Sequence, residues 1–284
     1  MYRIAQDIEI VRELLELKTE EMAKEIGVSR TTLNNWFTGK RNISELNLET
    51  FYNFAFRSGI RLNKIKEQLY KEELSEKQHV LLFHGAKNVI EGPISLEKSR
   101  KNNDFGQGFY CGENLEQSAM FVSAFSNSSL YMLDFNKEGL NYRKYYVDRD
   151  WMLTIAYYRN RLGEFANSQI VAELIGKNKD IDYFVAPIAD NRMFEIIDSF
   201  IEGEITDIQC QHCLSATNLG NQYVFVSQKA IEQVTILEHC FLSQEEKKYY
   251  LDSRKEFVEI NRDKVKIARK QYRGKGKYIE EILQ

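Results

Sequence analysis

His79-Val80-Leu81-Leu82-Phe83-His84-Gly85 decides the reading of the fold: a short apolar run ending in a His-Gly pair reads as a buried strand. Outward from it, Asp104-Phe105-Gly106-Gln107-Gly108-Phe109-Tyr110 carries two glycines that permit close backbone approach. A helix is expected over Leu115 to Phe125, with Ser118 and Phe121 on one face. Much later, Asn221-Gln222-Tyr223-Val224-Phe225-Val226 has strong β propensity and leads into a helix around Lys229. The connections between these segments are unequal and mixed, which disfavours the regular strand-helix alternation of a doubly wound sheet. The expectation is an α+β body with two packed, mostly antiparallel sheets between about Gln78 and Leu237.

The flanks differ from this centre. Over residues 1–75 there are 12 Lys/Arg and 12 Asp/Glu, over 76–243 there are 15 and 22, and over 244–284 there are 12 and 8. The segment charges of 0, −7 and +4 sum to the −3 of the whole chain. This segregation tracks the shifts in hydrophobic pattern and divides the chain into an all-α bundle at 1–70, a linker at 71–78 within the polar stretch 66–78, the α+β domain at 79–242 and a basic helical tail at 243–284. The 284 residues, 43% hydrophobic with only two prolines, exclude bulk disorder and collagen-like structure. No apolar run approaches the ~20 residues of a membrane-spanning helix, and the acidic start lacks the pattern of a signal peptide. A cytoplasmic protein without a membrane partner is expected, with its four scattered cysteines reduced.

In the first segment, Ile8, Val11, Leu14 and Leu15 recur at helical spacing. Thr19 then reads as the cap of a second helix, Gly27 as a left-handed turn and Ser29 as the cap of a third helix running through Leu33 and Trp36. The stretch TEEMAKEIGVSRTTLNNWFTGKR, residues 19–41, resembles the helix-turn-helix of the phage-repressor and Cro-like family, and the resemblance covers about Met1 to Tyr70. It implies that the third helix enters a major groove, with Arg30, Thr31, Asn34 and Asn35 reading an operator and Lys40 and Arg41 holding phosphates. An αα-hairpin that merely packs or dimerises has the same pattern, and a homodimer is compatible with either.

In the centre, LLFHGAKNVI, DFGQGFYCGENLEQSAMF and NQYVFVSQKAI occur in one order. They resemble the ADP-ribosyltransferases of the diphtheria-toxin and poly(ADP-ribose) polymerase type, and a related bacterial family of unknown function. By that resemblance NAD is the substrate: His84 bonds a ribose, the Gly85 backbone clamps the carboxamide, Tyr110 stacks on the nicotinamide ring and Ser118 bonds the carboxamide. Phe121 stands where a second stacking tyrosine is usual and keeps only the ring. His84, Tyr110 and Gln222 would form the catalytic set.

Gln222 departs from the polymerase pattern, which has glutamate there. An amide can orient a ribose but supplies neither negative charge nor a proton acceptor for general-base work. Chain elongation is therefore disfavoured, and restoring the charge with Gln222→Glu is expected to speed NAD cleavage if the remaining geometry is competent. The resemblance implies a mono-ADP-ribosyltransferase, in the manner of a toxin or defence effector, with a protein or nucleic-acid acceptor. The alternatives are an NAD-sensing transcription regulator without turnover and a slow NAD glycohydrolase. Cys210, His212 and Cys213 lack a second pair at zinc-ligand spacing, so no metal is expected. Lys98, Arg100 and Lys101 suit a solvated loop or the NAD pyrophosphate, and Asp190 suits a loop cap or an acceptor contact.

Overall fold

The computed structural model describes residues 2–40, 43–75, 78–217 and 219–283. Five helices come first: α1 (Ile4–Leu14), α2 (Thr19–Ile26), α3 (Arg30–Phe37), α4 (Glu45–Arg57) and α5 (Leu62–Leu74). Strands and helices then mix: β1 (His79–Ala86), β2 (Phe109–Gly112), α6 (Leu115–Val122), β3 (Ser129–Asn136), β4 (Tyr142–Lys144), α7 (Arg149–Tyr158), α8 (Gln169–Gly176) and β5 (Tyr183–Pro187). The chain continues through α9 (Asn191–Ile201), α10 (Asp207–Ser215), β6 (Asn221–Phe225), α11 (Gln228–Ile231) and β7 (Val234–Cys240). It ends in α12 (Gln244–Gln271) and α13 (Ile279–Leu283). Among the described residues no helix is long and apolar enough to cross a membrane.

Local chemistry explains the N-terminal helices. Ser29 Oγ accepts from the Thr32 amide at 3.0 Å, satisfying one of the unpaired donors that open α3. Gly27 ends α2 at φ 79°, a left-handed value that a Cβ disfavours. The expected cap at Thr19 is corrected by one residue: Lys18 holds the cap position, and its amide donates to Glu21 Oε2 at 2.7 Å. That backbone-to-carboxylate bond replaces a hydroxyl cap.

The chain divides into two compact units, and these do not follow the linear segments expected from charge. The first comprises residues 1–90, 115–136 and 235–253. Its helical core joins Ile8, Val11, Met22, Leu33, Trp36 and Phe51, and Phe241 packs into it. A second cluster lies under β1 and α6, where Leu81, Phe83, Leu115, Ala119 and Val122 meet Leu130 and Met132. Strands β1 and β3 pair antiparallel, setting His84 opposite Tyr131 and Gly85 opposite Leu130. The polar stretch 66–78 does not form the expected linker along its length: α5 occupies it as far as Leu74, while Glu76 and Lys77 lie outside the described residues. Lys66 and Glu67 are buried instead of solvated.

The second unit comprises residues 91–114, 137–234 and 254–284. Its strands run in the order β4-β5-β6-β2, with β4 parallel to β5 and the other two pairings antiparallel. Trp151, Phe184 and Phe200 are fully buried in its core, each stabilising the fold by about 1.5–3 kcal/mol. Side-chain caps at Asp148, Ser168, Asp190 and Thr206 start α7, α8, α9 and α10. Among the described residues, the strands of each unit lie side by side, β1 beside β3 in the first and β4-β5-β6-β2 in the second, and within neither unit are two sheets packed face to face as expected. The mixed strand directions are those of an α/β arrangement, followed by the C-terminal helix expected for the tail.

Candidate functional site

In the first unit, β1 delivers Gly85 to the flank of a short helix, α6. A Cβ built on Gly85 would lie 2.6 Å from Val122 Cγ1, 3.2 Å from the Ser118 carbonyl oxygen and 3.3 Å from Phe121 Cδ1. Glycine is thus required by the approach of α6, with or without a ligand. The same approach brings Ser118 and Phe121 beside Gly85, so three of the expected site residues share one locale, while the His84 side chain projects from the other face of β1, on the side of Tyr131. Phe121 is 49% exposed, unusual for a large aromatic, and meets Phe125 edge-on at 5.8 Å. The His84 ring lies 6.5 Å from that of Tyr131, which in turn stacks on His239 at 4.7 Å. Burial lowers the pKa of His239 to about 4, so this ring is neutral at physiological pH.

The second unit gathers Tyr110, Gln222 and two residues that the sequence reading did not single out. Pairing of β2 with β6 sets Tyr110 opposite Val224 and Gly112 opposite Gln222. Gln222 is buried, and its Nε2 donates to Asp104 Oδ2 at 3.1 Å and to the Pro187 carbonyl at 3.2 Å. Both amide hydrogens are therefore engaged, which fixes the side-chain flip and presents Oε1 as an acceptor. Asp104 also accepts from Arg159 Nε at 2.9 Å, and the Arg159 guanidinium sits 3.4 Å over the Phe194 ring. Burial raises the Asp104 carboxyl above its usual range, while the Arg159 charge and the Gln222 amide pull it back.

Tyr110 is held by its hydroxyl, which donates to the Gly106 carbonyl at 2.7 Å and accepts from the Phe105 amide at 3.1 Å. Burial pushes that phenol well above its ordinary range, so it stays protonated. A cavity of about 210 Å³ lies along Pro187 and Asn221, with Ile188, Met193, Ser215 and Thr217 in its wall. At that size it is below the ~300–1,000 Å³ usual for ligand pockets and cannot by itself enclose a dinucleotide. Asp190 serves as a cap, its Oδ1 accepting from the Arg192 and Met193 amides, and Lys98 donates to the Glu91 carbonyl at 2.6 Å.

Among the described residues no group of His, Cys, Asp and Glu could hold a metal. Cys210 and Cys213 are buried, with burial raising both thiols, and His212 stacks on Tyr272 at 3.5 Å.

The candidates for reading DNA fall on α3 and just beyond it. Leu33 and Trp36 are buried at 1% and 3% exposure, and Arg30, Thr31 and Asn34 are exposed on α3. Asn35 is half-buried and Lys40 exposed just beyond the helix, whereas Arg41 lies outside the described residues.

Residues 80–236 match the model of a family described as "Protein of unknown function (DUF3990)", more than half of the chain. The chain belongs to the DUF3990 family. Residues 8–50 match a helix-turn-helix model, which supports DNA binding by the segment that carries α1 to α3. No curated protein and no solved structure matches this DUF3990 protein. Asp104 opens one of the three stretches quoted from the sequence, yet only its glycines drew notice there. Arg159, 55 residues further on, gives no local signal at all.

Proposed function

We propose that this DUF3990 protein couples a DNA-binding helix-turn-helix to NAD-dependent mono-ADP-ribosyl transfer, in the manner of a toxin or defence effector. The observation that carries the reading is the close packing of Gly85 against Ser118 and the exposed Phe121 where β1 meets α6. In it, His84 bonds a ribose, the Gly85 backbone and Ser118 take the carboxamide, and the exposed Phe121 ring offers a stacking face.

Gln222 would orient the nicotinamide ribose through Oε1, the acceptor left once Asp104 and Pro187 take the amide hydrogens. As the glycosidic bond breaks, positive charge develops on the ribose and nicotinamide departs with the bonding pair. An acceptor nucleophile then attacks the same carbon. Asp104 is the carboxylate that remains near Gln222, although Arg159 partly neutralises it.

A second reading, an NAD-responsive regulator without turnover, is favoured by one feature. The side chain at 222 is an amide and its neighbouring carboxylate is already paired. Calorimetric titration of NAD and measurement of nicotinamide release with a cell lysate separate the two. Binding with release supports transfer or glycohydrolysis, and a labelled acceptor distinguishes them. Binding without release supports the sensor. No binding, or binding unaffected by His84→Ala and Tyr110→Ala, refutes the NAD assignment.

A further inference from the structure

The helix-turn-helix segment has 12 basic and 12 acidic residues, so it lacks the broad positive surface from which sequence-independent DNA affinity arises. The chain does have such a surface elsewhere. Residues 262–277 contain eight Lys/Arg against a single acid, Asp263, and all nine side chains are exposed. On α12 they are ordered. At 100° per residue, Arg262, Lys266 and Arg269 project within about 60° of one another, and Arg273 lies two residues beyond the end of the helix. Asn261 and Ala268, buried at 2% and 8%, and the half-buried Val265 lie on the packed side, roughly a quarter-turn round the helix.

The row is lightly paired. Lys266 has Asp263 at 3.7 Å and Arg269 has Glu204 at 3.7 Å, both exposed ion pairs of little net strength that a phosphate can displace.

We infer that Arg262, Lys266, Arg269 and Arg273, with Lys275 and Lys277 beyond them, form a second DNA-binding surface that contacts the duplex backbone without reading sequence. On α12 itself, Arg262, Lys266 and Arg269 are three or four residues apart, about 4.5–6 Å along a rigid helix. A straight row of that kind suits a straight, rigid polyanion, whose strands carry a phosphate every ~3.4 Å of axis. Single-stranded nucleic acid calls for stacking platforms among the charges. Along the helical row the nearby aromatic Tyr272 is already stacked on His212, the exposed Ile260 and Ile267 project away from the row, and the exposed Tyr278 lies past its end, after Lys277. The inference is independent of the NAD reading.

The test uses the full chain and a fluorescein-labelled duplex of mixed sequence, about three helical turns long, followed by anisotropy from low to moderate salt. The triple variant Arg262→Gln/Lys266→Gln/Arg273→Gln alters only exposed side chains. It should flatten the slope of log K against log salt by about 2 to 3, at roughly 0.9 per lost phosphate contact. Arg30→Ala/Lys40→Ala, measured in parallel, should add to this loss and not replace it. An unchanged slope overturns the inference, as does a loss seen only when a single-stranded RNA of the same length replaces the duplex. Failure of the unaltered chain to bind the duplex overturns it as well.

Discussion

Replacing Gln222 by glutamate separates a lost charge from a relocated one. The amide nitrogen of Gln222 lies 3.1 Å from Asp104 Oδ2 and 3.2 Å from the Pro187 carbonyl oxygen. Glutamate would set a carboxylate oxygen against both. Two unit charges at that separation repel by about 5 kcal/mol at an effective dielectric near 20. Binding one proton avoids the repulsion, and for a carboxyl of ordinary pKa near 4.3 this costs about 4 kcal/mol at pH 7 and about 1 kcal/mol at pH 5. The cheaper route sets the outcome. Gln222→Glu should lose about 4 kcal/mol at pH 7 and much less at pH 5. The sign follows from a carboxyl whose pKa is raised on folding: its stabilisation is present at low pH and disappears as pH rises. Asp104→Asn/Gln222→Glu should recover most of the loss. The amide introduced at position 104 can then donate to the new carboxylate while its oxygen still accepts from Arg159. Urea unfolding of the three proteins at pH 5 and pH 8 reads the stabilities, and nicotinamide release reads the chemistry. Faster NAD cleavage is expected from the double substitution, where the charge at 222 is unopposed, and not from the single one. A single variant as stable as the parent at both pH values, or no recovery in the double variant, refutes the Asp104–Gln222 coupling.

Four further outcomes follow from the two units. Lys66 is buried between Asp7 and Glu238, and Lys66→Met should cost about 3–5 kcal/mol in urea unfolding, because two carboxylates lose their counter-charge. Burial raises the pKa of Glu246 to about 7, with Asn63, Lys66 and Arg61 pulling it back. Stability from this group is full below its unfolded value near 4.5 and lost as pH rises through 7, so Glu246→Gln should gain over the parent by roughly 3 kcal/mol at pH 8 and far less at pH 5. Gly85→Ala should destabilise the first unit by about 1–3 kcal/mol with no ligand present, and Val122→Ala should relieve part of it by removing the 2.6 Å clash. Arg30→Ala or Asn34→Ala should weaken binding to a selected operator by about 1–3 kcal/mol, measured by competition against mixed-sequence DNA.

What the sequence displays is local. Ser29 and Gly27 announce the ends of α3 and α2 because capping and left-handed turns involve neighbours within a few residues. Residues 79–85 and 221–226 read as strands on their own composition and form β1 and β6 within a residue or so. The errors come where polarity has a distant partner. Lys66 and Glu67 suggest a solvated linker, yet Lys66 is held inside by Asp7, 59 residues away, and Glu238, 172 residues away. No periodicity encodes such a pairing.

The same limit applies at Gln222. Compared position by position with a glutamate-bearing family, it reads as the removal of a charge. Its hydrogen bond reaches back 118 residues to Asp104, so a carboxylate stands next to the amide, held there by Arg159. Which of the pair bears the charge is a property of their contact in the fold. A motif written along the chain can record the two residue types, but their exchange is visible only where β6 brings position 222 beside position 104.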